Sequence, residues 1–290
     1  MMQVNCRLLA LAVTYPHLMH ASLAVAFAYD RYLNGSLDSG RTVEECYHCS
    51  QSTALFNRRI REPIKIDERD SIWGTAAALA VLSFASPDAG DGAGDSWPLN
   101  PSKPTDLEWL RLSKGKMSLW PIVNPLRPDS LFRVMASTFA EMRSPLPEVG
   151  LYGVPSRLAA VCGLHDLSTA DDNPYFNPVH AVSRILGLPD SQVTTGQTEL
   201  FTRSIQGLFQ SLLVERDPIA LLLLHLWYRK AGRSIWWIDL RARVECPAIY
   251  MYLQQYHGEN HDVQALLFEG SLADVNNKKL LGANSPLKAG

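Results

Sequence analysis

The chain is predicted to be all-α: a multi-helix orthogonal bundle around one buried central helix. Three observations carry that expectation. The run Ile219-Ala220-Leu221-Leu222-Leu223-Leu224-His225-Leu226-Trp227-Tyr228 is apolar on every side, so a helix there must be covered by its neighbours. Elsewhere apolar residues recur three and four positions apart, the helical period. No alternating strand pattern and no internal repeat is present. With 290 residues, 47% hydrophobic and 19% charged, the chain can bury a substantial core.

Each element has its own signal. Val4 to Tyr15 reads as one helix, and Pro16 begins a second that runs to about Leu33, with Met19, Leu23, Ala26 and Phe27 on one face and Asn34-Gly35 as the stop. Cys46, Cys49, Thr53, Phe56 and Ile60 mark the apolar face of the next helix, which Pro63 ends. From Asp67 or Asp70 a helix runs to about Ala85, and its small residues Ala76 to Ala78 and Ala80 predict close approach of another helix. Thr105-Asp106-Leu107-Glu108 has the capping-box form, opening a helix to about Leu119; Pro121, Pro125 and Pro128 then predict extended chain. Asp129 restarts a helix carrying Leu131, Met135, Thr138, Phe139 and Met142 on one stripe. Short helices follow around Ser156 to Cys162 and Pro178 to Leu188. Leu200 or Phe201, Ile205, Leu208 and Leu212 mark one helix leading to the central one.

Asp217 suits the N-cap of the central helix, Pro218 its first turn and Gly232 the position past its end. Its apolar run is far shorter than the ~20 residues a membrane span needs. After Trp236-Trp237 come a helix over Val244 to Tyr256, with Pro247 as a kink or fresh start, and a last helix over Asp262 to Phe268. The domain reading is one helical unit over 1–270, with a mobile loop at 87–104 rich in Asp, Gly, Ser and Pro, and a disordered tail over 271–290.

The formal net charge of −2 argues against a surface built for nucleic acid. Arg58-Arg59-Ile60-Arg61 and Arg241-Ala242-Arg243 have acidic neighbours and read as solvated helix faces. Cys6, Cys46, Cys49, Cys162 and Cys246 are odd in number and scattered, which fits a reducing compartment. The apolar start up to Ala28 is interrupted by Pro16, His17 and His20 and has only Arg7 as a basic flank, so it reads as helix and not as a signal peptide.

Four stretches invite chemistry. Cys46-Tyr47-His48-Cys49 has metal-like spacing but no second pair to complete a tetrahedral site, so both cysteines are expected in the core. His257-Gly258-Glu259-Asn260-His261-Asp262 lacks a metalloprotease spacing and reads as a polar interhelical loop. Gly90 to Asp95 is glycine-rich, but its aspartates would repel phosphate. His225 reads as a satisfied core histidine. No nucleophile elbow, P-loop or dinucleotide fingerprint is present, so no enzyme is predicted.

Several blocks in order resemble the regulatory region of fungal zinc-cluster transcription factors, in the branch that includes the sterol uptake control protein. They are Tyr15 to Ala21, His48 to Phe56, Trp109-Leu110-Arg111-Leu112-Ser113-Lys114-Gly115 with Trp120, Asp217 to Leu221 with Trp227-Tyr228, Trp236-Trp237, and Tyr250 to His257 before Val263-Gln264. The resemblance covers about residues 8 to 268. It implies an all-helical, homodimeric regulatory domain of a nuclear RNA polymerase II factor that meets transcriptional co-regulators and, in the sterol-responsive branch, holds a sterol. The zinc of that family belongs to a six-cysteine, DNA-contacting cluster. Five scattered cysteines cannot form it, so neither zinc or another cofactor nor direct DNA contact is expected of this chain.

From the amphipathic faces, and not from the family, Met135, Phe139, Leu222, Leu226 and Trp227 are predicted to line a ligand pocket between the central helix and the 131–142 helix. The alternative is a helical protein-interaction scaffold whose apolar faces bury only one another, with no ligand and no DNA binding.

Overall fold

The computed structural model describes residues 2–34, 40–87, 93–103 and 105–268. Within them the elements follow the punctuation of the sequence: α1 (Met2–Thr14), α2 (Pro16–Leu33), α3 (Val43–Arg59), α4 (Arg69–Ala85), α5 (Glu108–Ser118), α6 (Trp120–Val123), α7 (Ala136–Met142), α8 (Ser156–Val161), α9 (Phe176–Leu186), α10 (Thr195–Ser204), α11 (Gly207–Val214), α12 (Pro218–Gly232) and α13 (Trp236–His257). Residues 261–268 are helical as well. The described residues contain no strand, and the protein is all-α. The tail and residues 88–92 of the expected loop lie outside the described residues.

The central helix is α12. The Asp217 carboxylate accepts hydrogen bonds from the Ile219 and Ala220 amides at 3.0 and 2.8 Å and also from the Tyr175 hydroxyl at 3.0 Å. Eleven of the fifteen residues of α12 are buried. Helices α9, α10, α11 and α13 cover it, and the largest apolar cluster surrounds it. A second layer is formed by α2 against α3 and α4, and α4 joins the layers by packing on α13. Asp217→Ala should cost about 1–2 kcal/mol, because two amides lose their cap and a tyrosine hydroxyl loses its acceptor. A fall in the urea midpoint at unchanged m-value would show it.

Several faces differ from the sequence reading. On α2 the buried residues are His17, Leu18, Ala21, Ala24 and Ala28, while Leu23 and Ala26 are exposed. The alanine face wins because small side chains let α3 and α4 approach closely. Gly74 on α4 extends this: a Cβ there would lie 3.1 Å from Leu18 and 3.3 Å from Phe132. On α3 the buried residues are Glu45, Ser52 and Phe56; Cys46 is exposed and Cys49 half-buried. The Arg31 guanidinium meets the buried Glu45 carboxylate at 3.0 and 3.1 Å, and Arg41 joins at 3.3 Å.

Other boundaries also moved. Thr105 does not cap α5: its carbonyl closes a turn to the Glu108 amide, and Leu107 takes a left-handed conformation (φ 58°) that places its side chain in the interior. Burying that leucine outweighs the cap. The proline-rich stretch is partly helical, because Pro121 sits in the first turn of α6. The 131–142 helix is a 3₁₀ stretch, Leu131–Met135, followed by α7, and Ser130 caps it in place of Asp129. The helix expected over 200–212 breaks into α10 and α11 at Ile205-Gln206, leaving Leu208 exposed. Pro247 is accommodated inside a continuous α13. Residues 93–103 are no bare loop either, since Ser96, Trp97 and Pro98 are buried.

Candidate functional site

Two cavities flank α4, and the small residues of that helix explain both. Ala76, Leu79 and Ala80 face the larger, while Ala77, Ala80 and Val81 face the smaller. The alanines expected to admit a neighbouring helix thus leave open space on either side of α4.

The smaller cavity lies between α4, α7, α10 and α12. Of the five residues predicted to hold a ligand, Met135, Phe139 and Trp227 line it. Leu222 and Leu226 line neither cavity: they are buried in the α12 core, 0% and 9% exposed. They lie one turn apart on α12 and share a face that the adjacent Trp227 does not. The volume is about 140 Å³, below the ~300–1,000 Å³ of pockets that bury a drug-sized molecule. Its walls are stiff. Trp227 stacks on Phe201 at 5.2 Å and donates its indole N–H to the Thr198 carbonyl at 3.1 Å. Thr194 donates to Glu141 at 2.5 Å, tying α10 to α7.

The larger cavity, about 750 Å³, lies between α3, α4, α5 and α13, with Ser96, Trp97, Asn100, Thr105, Asp106 and Leu107 also lining it. Cys49, Thr53, Phe56 and Ile60 line it. These are four of the five residues read from the sequence as an apolar stripe, so the stripe borders this cavity, while Phe56 also belongs to a core cluster with Ile72 and Trp73. Leu79, Leu112 and Leu119 add to its apolar lining.

The lining also includes a buried polar pair. Arg241 and Glu245, one turn apart on α13, are 7% and 6% exposed and paired. The reading of Arg241 as a solvated-face residue is corrected here; only its neighbour Arg243 is exposed, paired with Asp239 at 2.5 Å. Arg241 also donates to the Ser83 and Ser86 carbonyls at 2.7 and 3.3 Å, closing the C-terminal end of α4. Tyr228 of the central helix donates to Glu245 at 2.7 Å. Burial, reinforced by the Glu245 charge, raises the Tyr228 pKa well above the usual phenol value, so the hydroxyl stays a donor. The cavity wall is therefore one hydrogen bond from α12. The i, i+4 spacing of Arg241 and Glu245 on α13 was the available sequence signal for this pair, shared with the more exposed Asp239–Arg243 pair on the same helix.

His225 is a core histidine, as expected. It is 5% exposed, with Nδ1 3.3 Å from the Cys246 sulfur. Burial, aided by the nearby Arg229 charge, lowers its pKa from 6.5 to about 3. The Cys246 thiol is pushed up to about 12, mainly by burial. The folded chain therefore binds fewer protons than the unfolded one between about pH 3 and 6.5. Stability contributed by neutral His225 is present above that window and lost as pH falls through it, with a slope approaching ~1.4 kcal/mol per pH unit. His225→Leu should flatten the urea midpoint between pH 6.5 and 4 relative to the parent chain.

Of the remaining sequence candidates, residues 90–92 of the Gly90 to Asp95 stretch lie outside the described residues, and from the Cys46 to Cys49 stretch Cys49 lines the larger cavity. His48 sits with Nδ1 2.8 Å from that of His20 and stacks on Phe27. The His257 to Asp262 stretch ends α13 and turns into the following helix. Among the described residues no group of three or more His, Cys, Asp or Glu could hold a metal ion. No described helix is long and apolar enough to cross a membrane. What the fold and cavity define is an all-α protein with a partly open amphipathic cavity. No protein-family profile, curated protein or solved structure matches the chain.

Proposed function

We propose that this chain is the ligand-sensing and dimerising regulatory domain of a fungal zinc-cluster factor of RNA polymerase II transcription. On this reading it works in the nucleus with co-regulators, is no enzyme, and carries neither zinc nor DNA contacts of its own. Its effector is an apolar, sterol-like molecule. The observation that supports a ligand is the larger cavity. Its volume of about 750 Å³ lies within the ~300–1,000 Å³ range of small-molecule pockets, and an apolar helix stripe faces it. The smaller cavity, toward which Met135, Phe139 and Trp227 were chosen, is assigned a packing role instead.

A ligand regulates only by binding one conformation better than another. Here the coupling element is α13: it presents Arg241 and Glu245 to the cavity, and Glu245 holds Tyr228 of the central helix. A ligand that repositions α13 therefore acts on the core that α12 organises.

The test fuses the chain to a heterologous DNA-binding domain and follows a reporter as host sterol is depleted. Thr53 is exposed yet lines the cavity, so Thr53→Trp fills it without disturbing packed core. Output should change several-fold on depletion in the parent fusion and stay constant in Thr53→Trp. A response that persists in the filled variant, or is absent from both, overturns the reading.

A further inference from the structure

Three arginines meet the short segment 142–145 at the end of α7. Arg203 of α10 donates to the Met142 carbonyl at 2.6 Å. Arg184 of α9 donates to the Ser144 hydroxyl at 2.7 Å and to the Pro145 carbonyl. Arg143 lies within the segment, its guanidinium 3.8 Å from the centre of the Trp120 ring. At ~3.8 Å between successive Cα atoms, these anchors gather the three side chains in one neighbourhood. Partial burial, joined by the Arg143 charge, lowers the Arg203 pKa.

Among the described residues none of the three arginines forms an ion pair. The carboxylates closest in sequence are engaged elsewhere: Glu199 pairs with Lys116 at 3.4 Å, and Glu141 accepts from Thr194 at 2.5 Å. An arginine carries five N–H donors, so one bond to a carbonyl leaves most of the Arg203 fork open. Like charges gathered without a counter-charge repel one another, and an anionic partner relieves that repulsion.

Arg143 and Arg203 line a groove of about 630 Å³ between α9, α10, α11 and the segment that follows α7. Leu146 and Pro147, which continue that segment, line it too, as does Leu208 in the first turn of α11, 70% exposed. Asp171 and Asp172 complete its charged lining, and among the described residues neither forms an ion pair. The groove therefore presents unpaired charges of both signs beside uncovered apolar surface.

That combination narrows the occupant. A nucleic-acid strand, charged at every phosphate, would set phosphates against Asp171 and Asp172. A small anion would satisfy the arginines and leave Leu208 uncovered. A protein segment can carry acidic, apolar and basic side chains in turn, and arginine suits such interfaces because its fork pairs with carboxylates bidentately.

We infer that this groove docks a peptide segment of a protein partner, with acidic side chains on Arg143 and Arg203, an apolar one against Leu208 and Leu146, and a basic one toward Asp171 and Asp172. The groove shares no lining residue with the larger cavity, so the inference stands whether or not that cavity holds a sterol-like ligand.

The test is fluorescence anisotropy of the full chain with a labelled peptide Glu-Glu-Leu-Leu-Lys-Lys, its counterpart with glutamine in place of both glutamates, and labelled oligodeoxythymidylate. The glutamate peptide should bind about tenfold tighter than the glutamine one, as expected for two partly exposed charge pairs, and the difference should shrink in high salt. Arg143→Gln with Arg203→Gln should bring the two peptides to near-equal affinity. Leu208→Glu should weaken the glutamate peptide about tenfold as well, since it places a like charge in its path; that side chain is mostly in solvent, so the fold is spared. Equal affinity for both peptides in the parent chain, no binding of either, or full affinity retained in Leu208→Glu overturns the inference. Oligodeoxythymidylate binding more tightly than the glutamate peptide overturns it too and makes phosphate the occupant.

Discussion

Glu245→Ala is expected to lower the unfolding free energy by about 3–5 kcal/mol, the usual cost of stripping one partner from a buried ion pair. Glu245 is 6% exposed and receives both the Arg241 guanidinium and the Tyr228 hydroxyl. Its removal leaves a charge and a phenol buried together without their acceptor. Replacing both charges, as in Arg241→Met with Glu245→Leu, should recover most of the loss, because the isolated charge is the costly element. Urea unfolding of the two variants against the parent chain checks this. A loss under 1 kcal/mol in Glu245→Ala would show that water, not Glu245, compensates Arg241.

Trp227→Ala should cost about 3–5 kcal/mol as well, the range for emptying an aromatic site in a core. Trp227 is 0% exposed. It stacks on Phe201, lies parallel to Trp109 with centroids 6.2 Å apart, and supplies the donor for the Thr198 carbonyl. Its deletion also enlarges the smaller cavity, which has α4, α7 and α10 around it. The loss should be the same with and without a steroid probe, because Trp227 lines the smaller cavity and not the larger one. A probe that restores the melting point of Trp227→Ala would return the ligand to the smaller cavity.

The helical class was legible because it rests on period and punctuation. Pro16, Asp217-Pro218 and Pro63 mark helix ends through local backbone chemistry, and the ten-residue apolar run of α12 could only be core. Which face of a helix is buried was less legible. On α2 the large residues Met19, Leu23 and Phe27 suggested the buried side, yet Ala21, Ala24 and Ala28 took it, because close packing on α3 and α4 favours small side chains. The stripe of α3 was read correctly as apolar, but a pattern records what a face resembles and not what lies opposite it. That face borders a cavity, so its meaning changed.

The site itself was mostly hidden. Met135, Phe139 and Trp227 do converge, because they sit on helices that meet, but they close around a small space. The larger cavity depends on α3, α4, α5 and α13, which are far apart in sequence and have no shared pattern. Arg241 illustrates the difficulty. Beside Arg243 it looks like surface, and only tertiary placement reveals the Glu245 carboxylate and the two carbonyls that bury it.

Native mass spectrometry of the parent chain and Thr53→Trp, both purified from a sterol-producing host, tests the central claim most directly. The account predicts a retained small-molecule mass on the parent chain, its absence from the filled variant, and the same dimeric state in both. A mass retained equally by both proteins would contradict the assignment of the larger cavity, and a parent chain that is both monomeric and unliganded would contradict the regulatory-domain reading as a whole.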